Sequence, residues 1–88
     1  MNKLHKKINQ ATIETYSYCG DINTYTISII KQPLESGDVL LESWYCKDGE
    51  GVAFHACGLL GDNDKNINIL INEAIAALIM RETEDYEN

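Results

Sequence analysis

Apolar and polar residues alternate through the first two thirds of the chain in four runs, parted by clusters of turn-forming residues. The clusters are Gly20-Asp21, Pro33 through Gly37-Asp38, Asp48-Gly49-Glu50-Gly51, and Gly58 through Gly61-Asp62. Between them, Thr12 to Cys19, Thr24 to Gln32, Val39 to Lys47 and Val52 to Cys57 are enriched in Tyr, Thr, Ile, Val and Trp, as strands prefer. Short connections predict antiparallel neighbours. After Gly61 the period changes. Ile67, Leu70, Ile71, Ala74, Ile75 and Leu78 recur at the three-and-four spacing of one helical face, which predicts a helix over residues 62–82. Asp62, Asn63 or Asp64 can accept hydrogen bonds from the free N–H groups of its first turn, and Arg81 suits the negative end of its dipole. Leu4, Ile8 and Ala11 permit a short helix within residues 1–11, which otherwise form a basic arm.

Registering the two hairpins predicts which side chains share a face. With Gly20 to Asn23 as the first loop, Tyr18 faces Tyr25, Tyr16 faces Ile27 and Glu14 faces Ile29, while Thr15, Ser17, Thr26 and Ser28 collect on the reverse side. With Asp48 to Gly51 as the next loop, Val39, Leu41, Tyr45, Val52, Phe54 and Ala56 share one side. Leu40, Glu42, Trp44, Cys46, Ala53, His55 and Cys57 share the other. A sheet with one apolar and one mixed side calls for a single covering helix, and the stripe from Ile67 to Leu78 supplies it. The expected fold is α+β: one domain, a two-layer sandwich in which a four-stranded antiparallel sheet over residues 12–57 is covered on one face by the C-terminal helix.

Composition adds limits. At 88 residues, 44% hydrophobic and 24% charged, the chain has room for one core and is unlike disordered sequences. No run of about 20 lipid-compatible residues occurs, because Asn68, Asn72 and Glu73 interrupt the longest apolar stretch. The basic start, Met1 to Gln10, lacks the apolar core of a secretory signal. Cys19, Cys46 and Cys57 are odd in number and form no Cys-x-x-Cys pair, which fits a reducing cytoplasm.

Fourteen acids oppose seven bases for a net charge of -7. Lys3, Lys6 and Lys7 fall in the first seven residues, leaving only Lys31, Lys47, Lys65 and Arg81 beside every acid. Direct binding of nucleic acid is disfavoured, since no basic stripe exists outside the N-terminal arm to release counterions from a phosphate backbone. Such a field serves solubility, and it also favours basic partners, many of which hold DNA or RNA themselves. The acidic end, Glu82, Glu84, Asp85 and Glu87, reads as a frayed helix end or a solvated tail over residues 83–88 that can still touch a basic partner.

Three constellations have candidate chemistry. Trp44 is predicted to pair with His55, with Cys46 and Cys57 one step away on the same side. Same-face neighbours about 7 Å apart at Cβ are a poor Cys-His nucleophile pair. Cys46, His55 and Cys57, joined by Glu42, are acceptable zinc donors whose spacing matches no common zinc module. Small cysteines packing beside an amphipathic histidine account for the same residues. Trp44 itself lies either under the N-terminal segment or on an open sheet face, where it would be a binding anchor. Finally, Asp62, Asp64, Asn66 and Glu73 imitate a calcium loop, except that Ile67 stands where the turn demands glycine. No nucleotide-binding loop, zincin motif or nucleophile elbow occurs, and no cofactor is implied. A helix-sheet-helix order invites comparison with the double-stranded-RNA-binding fold, but Asp62, Asn63 and Asp64 surround a single Lys65 where that family places lysines.

As a class the chain resembles the small, acidic, motif-poor proteins that phages and mobile elements direct against host defence, anti-CRISPR proteins among them. The resemblance lies in size, charge and lack of enzymatic motif. Members of this class share no motif, so it assigns no role to any residue. The expectation is a non-enzymatic inhibitor in the host cytoplasm that binds a basic, nucleic-acid-handling protein through an acidic surface. The candidate contact residues are Glu35, Asp38, Glu42, Trp44, Asp48, Glu50, Asp62 and Asp64. The alternative is a homo-oligomeric or small-ligand-binding module, a homodimer for instance, that uses the open sheet face.

Overall fold

Tyr25, Ile27 and Ile29 alternate with Thr24, Thr26 and Ser28, so an extended backbone sends three large apolar groups to one side and hydroxyls to the other. The computed structural model, which describes residues 10–87 and side chains as far as Glu84, places this run in the second of four strands. These are β1 (Thr12–Cys19), β2 (Thr24–Pro33), β3 (Val39–Lys47) and β4 (Ala53–Leu60), followed by the helix α1 (Asp64–Glu87). The expected N-terminal helix over residues 1–11 lies outside the described residues, apart from the irregular Gln10 and Ala11. The strands form an antiparallel meander in the order β1-β2-β3-β4. The first hairpin has the expected register, with Tyr18 opposite Tyr25, Tyr16 opposite Ile27 and Glu14 opposite Ile29.

The core lies between the sheet and α1. Tyr25, Ile27, Ile29, Leu41 and Tyr45 meet Leu70, Ala74 and Leu78, with Phe54, Leu59, Ile67, Ile71 and Ile75 at its margins. Each of these large side chains gains about 1.5–3 kcal/mol on leaving water, which is what holds a sheet with one covered face. Asn63 caps α1 by accepting the Asn66 N–H at its side-chain oxygen (2.9 Å). The Asn66 amide in turn donates to the carbonyls of Leu60 (3.0 Å) and Gly61 (2.8 Å), fixing the turn out of β4. Gly61 makes that turn at φ 107°, a conformation side chains resist.

Three expectations are corrected. β4 runs to Leu60, and a bulge shifts its register: Trp44 faces His55, but Ser43 faces Cys57 and Leu41 faces Leu59, leaving Ala56 as the extra residue. Cys57 therefore packs toward the core beside Ala56, on the opposite face from His55. The helix begins two residues later than expected and continues to Glu87, so Arg81 lies before its last turn. Arg81 stacks its guanidinium 3.5 Å above the Phe54 ring, and its Nε donates to the Tyr45 hydroxyl at 2.8 Å.

The third correction concerns Glu82, which is not part of a solvated tail. Four residues past Leu78, it continues the buried stripe and is 5% exposed. Its carboxylate accepts the N–H groups of Asp21 (2.8 Å), Ile22 (3.2 Å) and Asn23 (3.1 Å) and the Tyr25 hydroxyl (3.4 Å). Burial pushes the carboxyl up, but the amides of Asn23, Asp21 and Ile22, with the Tyr25 hydroxyl, outweigh it and hold the group below its ordinary value. One helical side chain thereby clasps the turn between β1 and β2.

Candidate interaction surface

Strand direction alternates in a meander, so loops emerge in turn at opposite ends of the sheet. The β2–β3 loop and the β4–α1 connection share one end, where the Gly61 N–H donates to the Val39 carbonyl (2.9 Å) and Lys31 meets Asp62 (3.2 Å). The β1–β2 and β3–β4 loops share the other. The candidate acids therefore split: Glu35, Asp38, Asp62 and Asp64 gather at the first end, Asp48 and Glu50 at the second. Glu42 and Trp44 lie between, on the face turned away from α1.

That face carries hydroxyls from β1 and β2, with Ile13, Ile30, Leu40 and Leu60 toward the end that holds the β2–β3 loop and Trp44 nearer the middle. Ser28 on β2 and His55 on β4 flank Trp44. The His55 ring stands edge-on to the indole with centroids 4.9 Å apart at 69°. Its Nε2 lies 3.4 Å from a Glu42 carboxylate oxygen. Gly58, opposite Glu42, leaves the space through which that side chain lies against β4. Trp44 is half-buried, and its indole N–H has no acceptor among the described residues. It lies on the sheet face that α1 does not cover, and the N-terminal segment, the alternative neighbour expected for it, is outside the described residues.

Counter-charges reduce some acids and spare others. Lys31 bridges Glu14 (3.4 Å) and Asp62 (3.2 Å), and the Asp62 hydrogen bond holds its ammonium above its ordinary pKa although partial burial pulls the other way. Lys47 pairs with Glu50 (3.5 Å), and Asp48 accepts the Thr26 hydroxyl (2.9 Å). The carboxylates of Glu35, Asp38 and Asp64 have no ion pair or hydrogen bond among the described residues. Among the candidate contact acids they are the ones freest to meet a partner's cations.

The structure does not bring the zinc-donor candidates together. Cys46 and His55 lie on the face away from α1, Cys57 on the helix side, because the bulge reverses the alternation between His55 and Cys57. The Cys46 thiol donates to the Glu50 carbonyl (3.2 Å) within its own hairpin. Among the described residues no group of three or more His, Cys, Asp or Glu side chains is placed to hold a metal ion. All three cysteines are free thiols. The calcium-like spacing is likewise broken up, since Asp62 pairs with Lys31 and Asn66 serves the turn.

Two clefts flank the C-terminal half of α1. One, about 120 Å³, lies between Tyr18, Gly20 and Ile79. The other, about 80 Å³, lies between Tyr45, Lys47 and Arg81. Both are smaller than the roughly 300–1,000 Å³ of ordinary small-molecule sites. No described helix is long and apolar enough to cross a membrane. Comparison with known proteins adds nothing to these residues: the chain matches no family model, no curated protein and no solved structure.

Proposed function

We propose that the protein is a non-enzymatic inhibitor that docks on a basic, nucleic-acid-handling protein of a host cell, as small phage anti-defence proteins of the anti-CRISPR kind do. The observation that carries this reading is the placement of Trp44. It stands beside Glu42 on the sheet face that α1 does not cover, with the carboxylates of Glu35, Asp38 and Asp64, unpaired among the described residues, at one end. An aromatic anchor supplies affinity, and a rim of like charge steers a basic partner toward it. Of the described bases, Lys31 and Lys47 are ion-paired and Arg81 is stacked on Phe54, leaving Lys65, beside Asp64 at the start of α1, as the one with neither kind of partner.

The test is capture from bacterial lysate on immobilised protein, with bound proteins identified by mass spectrometry. Wild type should retain nucleic-acid-binding proteins that duplex DNA displaces and that elute as salt is raised, since rim electrostatics are screened within about 8–10 Å at such ionic strengths. A Glu35→Lys, Asp38→Lys, Asp64→Lys variant should lose them. Trp44→Ala should weaken the strongest of these interactions by about 30-fold or more, the effect of losing a central aromatic anchor. Retention that ignores salt and survives the triple reversal would overturn the reading.

A further inference from the structure

The sheet has two edges, and they are built differently. β4 carries the bulge at Ala56 and is overlain by α1, two devices that discourage pairing with another strand. β1 has neither. Its eight residues contain no proline, lysine or bulge, and every one but Tyr18 is exposed. The Gly20 N–H donates to the Asn23 carbonyl (2.8 Å), which sets the phase of the ladder. Antiparallel alternation then turns the backbone groups of Thr12, Glu14, Tyr16 and Tyr18 toward β2 and those of Ile13, Thr15, Ser17 and Cys19 outward. Among the described residues no strand receives them.

We propose that this edge pairs antiparallel with the same edge of a second copy, about a two-fold axis passing through Tyr16. In that register Thr15 faces the partner's Ser17 and Ile13 faces the partner's Cys19, so every outward-turned residue of β1 finds a partner in both copies. Tyr16, 39% exposed in the single chain, meets the partner's Tyr16 across the axis. Charge does not oppose a second copy here. β1 holds one acid, Glu14, already 3.4 Å from Lys31, so two acidic chains can approach along this edge with little repulsion. The register sets Glu14 against the partner's Tyr18, so no like charges face each other.

A strand of this length is about 27 Å long, and joining two such edges buries on the order of 1,000 Å² in all, near the lower bound for a specific interface. Self-association in the micromolar range follows. The two-fold axis leaves both α1 helices on one side of the joined sheet and both Trp44 faces on the other. The inference goes beyond the proposed docking function and does not depend on it.

Sedimentation velocity of the purified chain, from about 1 µM to about 500 µM, should show a monomer passing to a dimer. Thr15→Pro removes one outward amide and no bond to β2, so it should weaken the dimer at least about tenfold while leaving the circular dichroism unchanged. A second measurement does not depend on that variant folding. Tyr16→Cys in a Cys19→Ser background places two thiols at a non-hydrogen-bonded pair, with Cα atoms about 4.5 Å apart, and should form an intermolecular disulfide far faster than Thr15→Cys in the same background. A chain that stays monomeric throughout overturns the proposal. So does a dimer that Trp44→Ala abolishes, or cross-linking no faster at position 16 than at 15. None of these results bears on capture of a basic partner, which is measured separately.

Discussion

Shortening Ser43 should strengthen the fold. The residue is fully buried on the helix side of β3, between Ile29 and Cys57, and its hydroxyl has no hydrogen-bond partner among the described residues. A buried hydroxyl without a partner costs about 1–3 kcal/mol. Removing its oxygen gives up a handful of dispersion contacts at about 0.1–0.2 kcal/mol each, which offsets only part of that penalty. Ser43→Ala is therefore expected to stabilise the protein by about 1 kcal/mol. For 88 residues the unfolding entropy is roughly 0.18 kcal/mol/K, so the thermal midpoint should rise by about 5 °C. In urea, followed by far-UV circular dichroism, the midpoint should move up by up to about 1 M with an unchanged slope. Ser43→Val, which adds bulk in a packed layer, should not share the gain. A lower midpoint for the alanine variant would mean that the hydroxyl is satisfied and that its burial is no burden.

Leu41→Ala, at a fully buried position in the same strand, should act in the opposite direction, lowering stability by about 2–5 kcal/mol in the same urea experiment. Asn63→Ala removes the cap of α1 and should cost about 1 kcal/mol, with helical signal lost first at that end. Glu82 supplies a pH dependence. Its folded pKa lies below the ordinary 4.5, so its contribution is complete above 4.5 and disappears as pH falls through the lower folded value. Urea midpoints from pH 6 down to about 2 should fall more steeply for wild type than for Glu82→Gln, and parallel curves would refute the assignment. Gly20→Ala would drive a methyl into the Glu82 carboxylate, 2.8 Å from Oε1. Hydrogen exchange at the Asp21, Ile22 and Asn23 amides should accelerate in that variant.

Most of the architecture is legible in the residues, for identifiable reasons. β2 alternates large apolar groups with hydroxyls so regularly that a slip of one position would bury Thr26 and Ser28, and Gly20-Asp21 fixes the turn beside it. The helix is equally plain from Leu70, Ala74 and Leu78. The bulge was not legible, because Ala56, Cys57 and Gly58 are small enough for either face and cast no pattern; only Leu59 and Leu60 beyond them hint that the strand continues. Simple alternation for that reason puts Cys57 on the wrong face, and with it the zinc-donor set. Glu82 was hidden differently. Its position four residues after Leu78 marks it for the interior, but its charge argues for solvent, and only the three amides presented by the distant turn decide the matter. Trp44 and Glu42 could be assigned to one face from the register, whereas the split of the acids between two ends follows from the strand order.

The Glu82 clasp also bears on how the chain is made. The β1–β2 hairpin has its turn anchored by a carboxylate 61 residues downstream of Asp21. Closing so large a loop is slow in comparison with forming a hairpin, so the turn lacks these hydrogen bonds until α1 has been synthesised as far as residue 82. A nascent chain stalled before residue 82 would hold every strand of the sheet and still lack the fastening for its first turn. Docking of α1 on the sheet is thus the step that fastens the β1–β2 turn.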